Sequence, residues 1–147
     1  MCNLYTPAKP SRLERYVEIP PGEDDNAQIK DVGPLTMSAF ITPRGLEHGQ
    51  WGMIPRNSKT RIPLTKEGKR MSTNNARWEK VPTAWTFAPS WKAGQRCIIP
   101  VDRWIEPYWG TGSNIWWAIW RADGAVAGIA GLYSYWTDPD TGEVVSN

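Results

Sequence analysis

The stretch "SNIWWAIWRADGAVAGIAGLYSYW", residues 113–136, is the one on which the fold turns. Two β-rich runs flank Asp123-Gly124, and Asp-Gly between such runs is a hairpin signal, because both residues tolerate the positive φ of a tight turn. The stretch therefore predicts an antiparallel hairpin. The small residues of "AVAGIAG" suit a strand that crosses closely against another surface. Upstream, "RCIIPVDRWIEPYW" (96–109) carries an apolar strand over Cys97–Ile99, expected to break at Pro100. "TMSAFITP" (36–43) and "GQWGMIP" (49–55) predict two further strands, the second ended by Pro55. "TNNARWEKVPTAW" (73–85) reads as a cap and a short helix stopped by Pro82, and "TFAPSWKAG" (86–94) as another, closed by Gly94. "TDPDTGE" is a turn, and "VVSN" opens a strand at residue 144 with nothing after it. The expected fold class is α+β: predominantly β, with barrel-like antiparallel sheets and a few short helices.

Composition bounds the rest. The 147 residues make one domain, with a hydrophobic content of 40% and charge of 22% typical of soluble globular chains. No apolar run is long enough for a membrane span, and Pro10, Arg12, Glu14 and Arg15 stand where a signal peptide needs an apolar core. Two cysteines, Cys2 and Cys97, fit a reducing compartment, so the expected location is cytoplasmic. One histidine, His48, and two distant cysteines give no metal-ligand spacing, and no metal or cofactor is expected. Ten tryptophans imply buried plates, stacking surfaces or both, while thirteen prolines argue for short strands joined by loops.

Charge is regional. Between Arg56 and Arg96 ten basic residues face only Glu67 and Glu79, a net of +8, with Trp78, Trp85, Phe87 and Trp91 interleaved. Cations with aromatic plates suit single-stranded nucleic acid, whose phosphates take the charge and whose bases stack. A solvated basic face over core tryptophans is the plainer alternative. The acids gather instead in the Pro/Gly-rich loop "EIPPGEDDN", residues 18–26.

Chemistry points to the other end of the chain. A small residue after Met1 permits removal of the initiator, leaving Cys2 as the N-terminus with an amine and a thiol on one residue. The free amine titrates near roughly 8 and is partly neutral at cellular pH. Nearby cations would depress that value and favour the thiolate. A carboxylic acid could shuttle protons, and an Asn could orient the amine without charging it. Such a set suits an aldehyde: the amine forms an imine and the thiol closes a thiazolidine. The candidates are Cys2, the cluster Asn74-Asn75-Ala76-Arg77, Glu106 and the aromatic-basic window.

"MCNLY", "WGMIPR", "NNARWEKV", "RCIIPVDRWIEPYW" and "AGLYSYWTDPDTGE" occur in the order found in the SOS response-associated peptidase (SRAP) family, whose members cross-link to abasic sites in single-stranded DNA. The chain resembles that family from residue 1 to about 144. The resemblance implies that Cys2, freed of Met1 by self-processing, forms a thiazolidine with the abasic-site aldehyde. It implies that Asn75 positions Cys2, that Glu106 transfers protons and that Arg77 holds a phosphate. Trp51 and Trp78 are candidate stacking platforms, and Arg56 and Lys59 candidate DNA contacts. Cys97, Met53 and Trp104 are read as structural. The family also carries a late histidine near an Arg-Met-Pro run. These 147 residues hold no counterpart, and His48 matches no family position. The expectation is one SRAP-like domain, 1–147, lacking its C-terminal segment, in which bond formation suffers less than release. Asn3 stands where the family often has Gly, and "RNSK" replaces a commoner Trp-containing run.

Two other functions compete. One is an N-terminal-cysteine thiol peptidase or hydrolase, which lacks a visible oxyanion or triad partner. The other is a non-enzymatic Trp-rich module for single-stranded nucleic acid or carbohydrate, which needs neither Cys2 nor Glu106. Oligomeric state is not legible.

Overall fold

A computed structural model of the chain describes residues 2–25 and 30–147. Met1, whose removal is expected from the sequence, lies outside the described residues. One long strand organises the molecule. β4, Arg96–Tyr108, pairs antiparallel along both of its edges. Ile98 pairs with Ile41 of β2 (Met37–Thr42) and with Ala130 of β6 (Ala127–Leu132). Trp104 pairs with Tyr5 of β1 (Leu4–Pro7) and with Ile119 of β5 (Ile115–Ile119). So β2 and β1 share one edge of β4, and β6 and β5 share the other. β2 turns at Pro43-Arg44 into β3, Gly45–Gln50.

The predicted hairpin across Asp123-Gly124 is corrected. β5 and β6 both run antiparallel to β4, hence in the same direction, end to end. Ile119 faces Trp104 and Ala127 faces Val101, while residues 120–126 loop out between them. The local turn does form: Gly124 has φ +68 and donates its N–H to Arg121 O at 3.0 Å. Asp-Gly specifies a reversal of direction over four residues, not the strand that follows. The partner is chosen by β4, whose thirteen residues are long enough for both runs. The true hairpin is β4–β5, around residues 109–114, and it leaves Trp109, Trp116, Trp117 and Trp120 exposed.

Three boundaries also move. β4 does not break at Pro100, because a proline φ is compatible with extended chain and only one donor is lost. Pro100 still pairs with Gly128, and its carbonyl accepts the Ala8 N–H at 3.1 Å. The strand expected over 49–55 lies earlier, at β3. Gly52 (φ +135) turns the chain out of the ladder, and Met53–Pro55 run on buried outside any strand, their N–H groups bonded to Thr73 O (Met53, 3.1 Å) and Asn147 Oδ1 (Ile54, 2.8 Å). The helix expected over 73–85 reduces to isolated turns, such as Val81 N–H to Arg77 O at 3.0 Å, since Pro82 cannot donate the next bond. α1, Ala88–Lys92, forms as expected and ends at Gly94.

The chain is mostly β and antiparallel with very few helices. Its sheet is open: the path ends at β3, and β7 (Tyr135–Thr137) with β8 (Val144–Ser146) form a separate two-stranded sheet. β8 packs over Gly49 of β3 without joining its ladder, so among the described residues no closed barrel results. The close approach of the small residues of "AVAGIAG" is not to a second surface, as expected, but to β4, the neighbouring strand of the same ladder. A Cβ added at Gly131 would lie 2.8 Å from Cys97 Sγ, and one at Gly128 2.9 Å from Ile98 Cγ2. Tyr5, Val32 and Val101 form one buried cluster, against which Cys2, Trp51, Ile99 and Trp104 pack. Ile54, Trp136 and Val145 form a second, under β7–β8. Among the described residues no helix is long and apolar enough to cross a membrane.

Candidate functional site

β1 carries Cys2 to the sheet. Because Leu4 pairs with Ile105, the residues just before β1 lie beside the far half of β4, where Glu106 sits. Cys2 is half-buried at the edge of an open, largely apolar cleft of about 540 Å³. Asn74 and Asn75 reach it from the irregular segment after Thr73. Asn75 Nδ2 donates to the Cys2 carbonyl at 2.7 Å, and Asn74 Nδ2 contacts the same oxygen at 3.4 Å. The segment is itself held: Trp51 Nε1 donates to Asn74 O at 3.1 Å, and Met53 N–H to Thr73 O at 3.1 Å.

The thiol of Cys2 donates to Leu4 O at 3.3 Å. Burial pushes its pKa above the ordinary thiol value, and the Glu106 carboxylate pushes it further the same way; the backbone at Leu4 and Ile105 opposes them. Among the side chains, then, it is the Glu106 carboxylate and no cation that acts on the Cys2 thiol, and it opposes the thiolate. The charge felt at Cys2 from Glu106 is negative, and the thiol stays protonated at neutral pH. Glu106 is half-buried on β4, opposite Trp117.

The other candidates separate into walls and rim. Trp51 is a wall: its ring meets Tyr5 edge-on at 4.9 Å, and its N–H is engaged by Asn74. Trp78 is at the rim, 72% exposed, edge-on to Trp91 at 5.3 Å. Arg77 is exposed beside it. Arg96 stacks over Trp91 at 4.4 Å. Arg56 and Lys59 are exposed but do not line the Cys2 cleft; Arg56 belongs to a second, smaller hollow. All ten cations of the basic window are exposed, so it is a surface rather than a buried network. Cys97 and Met53 are buried and Trp104 is partly buried in the core, as read. His48, on β3, lies 3.5 Å from Glu23 and does not line the cleft.

Sequence reasoning left Asn74 and Asn3 without roles. Asn74 Nδ2 also meets Asn3 Oδ1 at 3.3 Å, tying the start of the chain to the Asn pair. The doubled asparagine and the unusual Asn3 were the available signal. Among the described residues no three metal-ligating side chains converge.

The SOS response associated peptidase (SRAP) family model matches residues 1–147. The chain belongs to the SRAP family. Membership ties it to the SOS response to DNA damage. The chain is similar to a crystal structure of a protein from Bordetella bronchiseptica, at 33% identity and TM-score 0.76, covering 99% of this chain and 69% of that one. A crystal structure of a protein from Bacteroides thetaiotaomicron shares the fold at 22% identity and TM-score 0.80, over 99% of this chain and 65% of that one. The SRAP chain thus spans about two thirds of the length of these structures. No curated protein matches it.

Proposed function

We propose that this SRAP chain captures abasic sites in single-stranded DNA covalently through Cys2. The observation that carries the reading is the grip of Asn75 on the Cys2 carbonyl at the edge of an open cleft, with the Glu106 charge felt at the thiol. Removal of Met1 by the protein itself frees the amine. The amine attacks the C1′ aldehyde of the open-chain sugar, and the carbinolamine loses water to give an imine. The sulfur then adds to the imine carbon, and the thiol proton passes to nitrogen as the five-membered ring closes. Glu106 takes the proton the ammonium must lose and returns it to the departing hydroxyl. Asn75 fixes the amine by fixing its own residue's carbonyl. Arg77, with Arg56 and Lys59, holds phosphates, while Trp78 and the Trp51 wall face bases.

The peptidase reading shares the nucleophile but gains less support. The amide donors nearest Cys2, on Asn74 and Asn75, are engaged by its own carbonyl rather than aimed at an incoming one. A purely binding module leaves the Asn75–Cys2 contact without a purpose.

The test is a denaturing gel of protein with single-stranded DNA carrying one abasic site, paired with intact mass. Wild-type protein starting at Cys2 is expected to shift. Cys2→Ala keeps an amine and forms only a hydrolysable imine, so it should give no heat-stable band, and Cys2→Ser should lose it too. A stable band from Cys2→Ala at wild-type yield, or retained Met1 on the reactive molecules, overturns the mechanism.

A further inference from the structure

A second hollow, of about 210 Å³, lies on the other side of α1 from the Cys2 cleft. The two share walls but no lining residue. Along the buried segment after Gly52, Met53 lines the cleft while Ile54 and Arg56 line the hollow. Around α1, Phe87 and Trp91 line the cleft while Trp85, Pro89 and Ser90 line the hollow. The hollow's floor carries the buried hydroxyl residues Thr86, Ser90 and Ser134. Its rim has Trp85, 58% exposed, and Arg56, exposed and joining no ion pair among the described residues. An exposed indole and a guanidinium that joins no ion pair among the described residues thus line one hollow with buried hydroxyls, and both belong to the 56–96 stretch of net charge +8.

We infer that this hollow is a second nucleotide subsite, in which Trp85 stacks a base of the captured strand and Arg56 takes an adjoining phosphate. The inference rests on the DNA-capture reading and extends it to a residue and a place that reading does not need. A strand suits the site better than a free anion, because the aromatic plate gives a base something to lie on and the charge gives the backbone its partner. A strand that passes over α1, a helix roughly 10 Å across, covers that width in two or three nucleotides at roughly 3.4 Å per stacked nucleotide, which sets the length of flank the subsite needs. Since the hollow lies on one side of the cleft, only one flank of the strand can reach it.

The experiment uses abasic single strands whose 5′ or 3′ flank is lengthened one nucleotide at a time, with affinity and adduct rate read for each. Wild-type affinity is expected to step up by about tenfold as one flank reaches two or three nucleotides, and to step up less on the other. Trp85→Ala should abolish that step, and Trp85→Phe should restore most of it. Melting curves check that both variants fold, as the exposure of Trp85 leads one to expect. A step that survives Trp85→Ala in a folded protein, or equal steps on both flanks, overturns the subsite while leaving capture intact. If no abasic strand forms an adduct, the capture reading fails. Undamaged strands of the same lengths then decide the subsite, because Trp85→Ala must still weaken the longer ones selectively.

Discussion

Asn75 Nδ2 lies 2.7 Å from the carbonyl oxygen of Cys2, so a residue in the irregular segment after β3 holds the proposed nucleophile. The contact spans 73 positions of sequence and forms only because β1 docks against β4. Asn75→Ala should therefore slow adduct formation by about tenfold, the worth of one neutral hydrogen bond, while leaving affinity for undamaged strands unchanged. Single-turnover gel kinetics alongside fluorescence anisotropy separate the two. Equal loss in both assays would make Asn75 a general DNA contact instead.

Burial above all, and the Glu106 carboxylate with it, raise the Cys2 thiol pKa. Replacing the carboxylate removes one upward push, so Glu106→Gln should shift the pH profile of Cys2 alkylation to lower pH. Adduct formation at neutral pH should nonetheless fall, roughly 10²-fold if general acid–base transfer is lost, because the amine loses its proton acceptor. The opposite movements of thiol reactivity and adduct rate are the signature. Alkylation that is unmoved by Glu106→Gln would place the carboxylate out of reach of Cys2.

How much of this was legible follows residue by residue. Cys2 stood out as a candidate by its place after Met1, and Asn75 and Glu106 by the ordered motifs; the structure brings Asn75 to the Cys2 carbonyl and the Glu106 charge to its thiol. The strand runs were legible from β-rich composition. Their partners were not: Asp123-Gly124 encodes a turn, and only the length of β4 decides that β5 and β6 lie end to end. Pro100 misled because a missing donor was read as a missing strand. The sign of the field at Cys2 was invisible as well. It depends on a strand register, Leu4 against Ile105, that no local pattern specifies.

Ten cations between Arg56 and Arg96 are exposed, so binding of undamaged strands should weaken as salt rises. Each phosphate contact on a single strand contributes about 0.7 to the slope of log K against log salt. Arg77→Ala should flatten the slope by that amount, with no change in base preference. Affinity independent of salt would favour a carbohydrate-type module.

Cys97 and Gly131 face each other across the β4–β6 pairing, and their closeness carries two consequences. A methyl added at Gly131 would sit 2.8 Å from Cys97 Sγ, so Gly131→Ala should destabilise by about 1–3 kcal/mol through overpacking. Adding Cys97→Ala removes the colliding sulfur, and the double variant should recover part of that loss, a coupling that independent sites would not show. The same burial, with the Glu47 charge adding to it, pushes the Cys97 thiol up to about 12. Above pH ~9 the unfolded thiol ionises while the folded one keeps its proton until about 12. The unfolded state then binds fewer protons, so stability is full below that range and falls as pH rises, by at most about 1.4 kcal/mol per unit. Tyr5, buried and likewise pushed to about 12, adds the same trend only above its ordinary value near 10. Denaturant melts at pH 9 and 10 should thus show wild-type protein losing stability and Cys97→Ala losing clearly less. Equal losses in the two proteins would mean that Cys97 ionises freely in the folded state, and that the β4–β6 pairing at Gly131 is looser than the geometry shows.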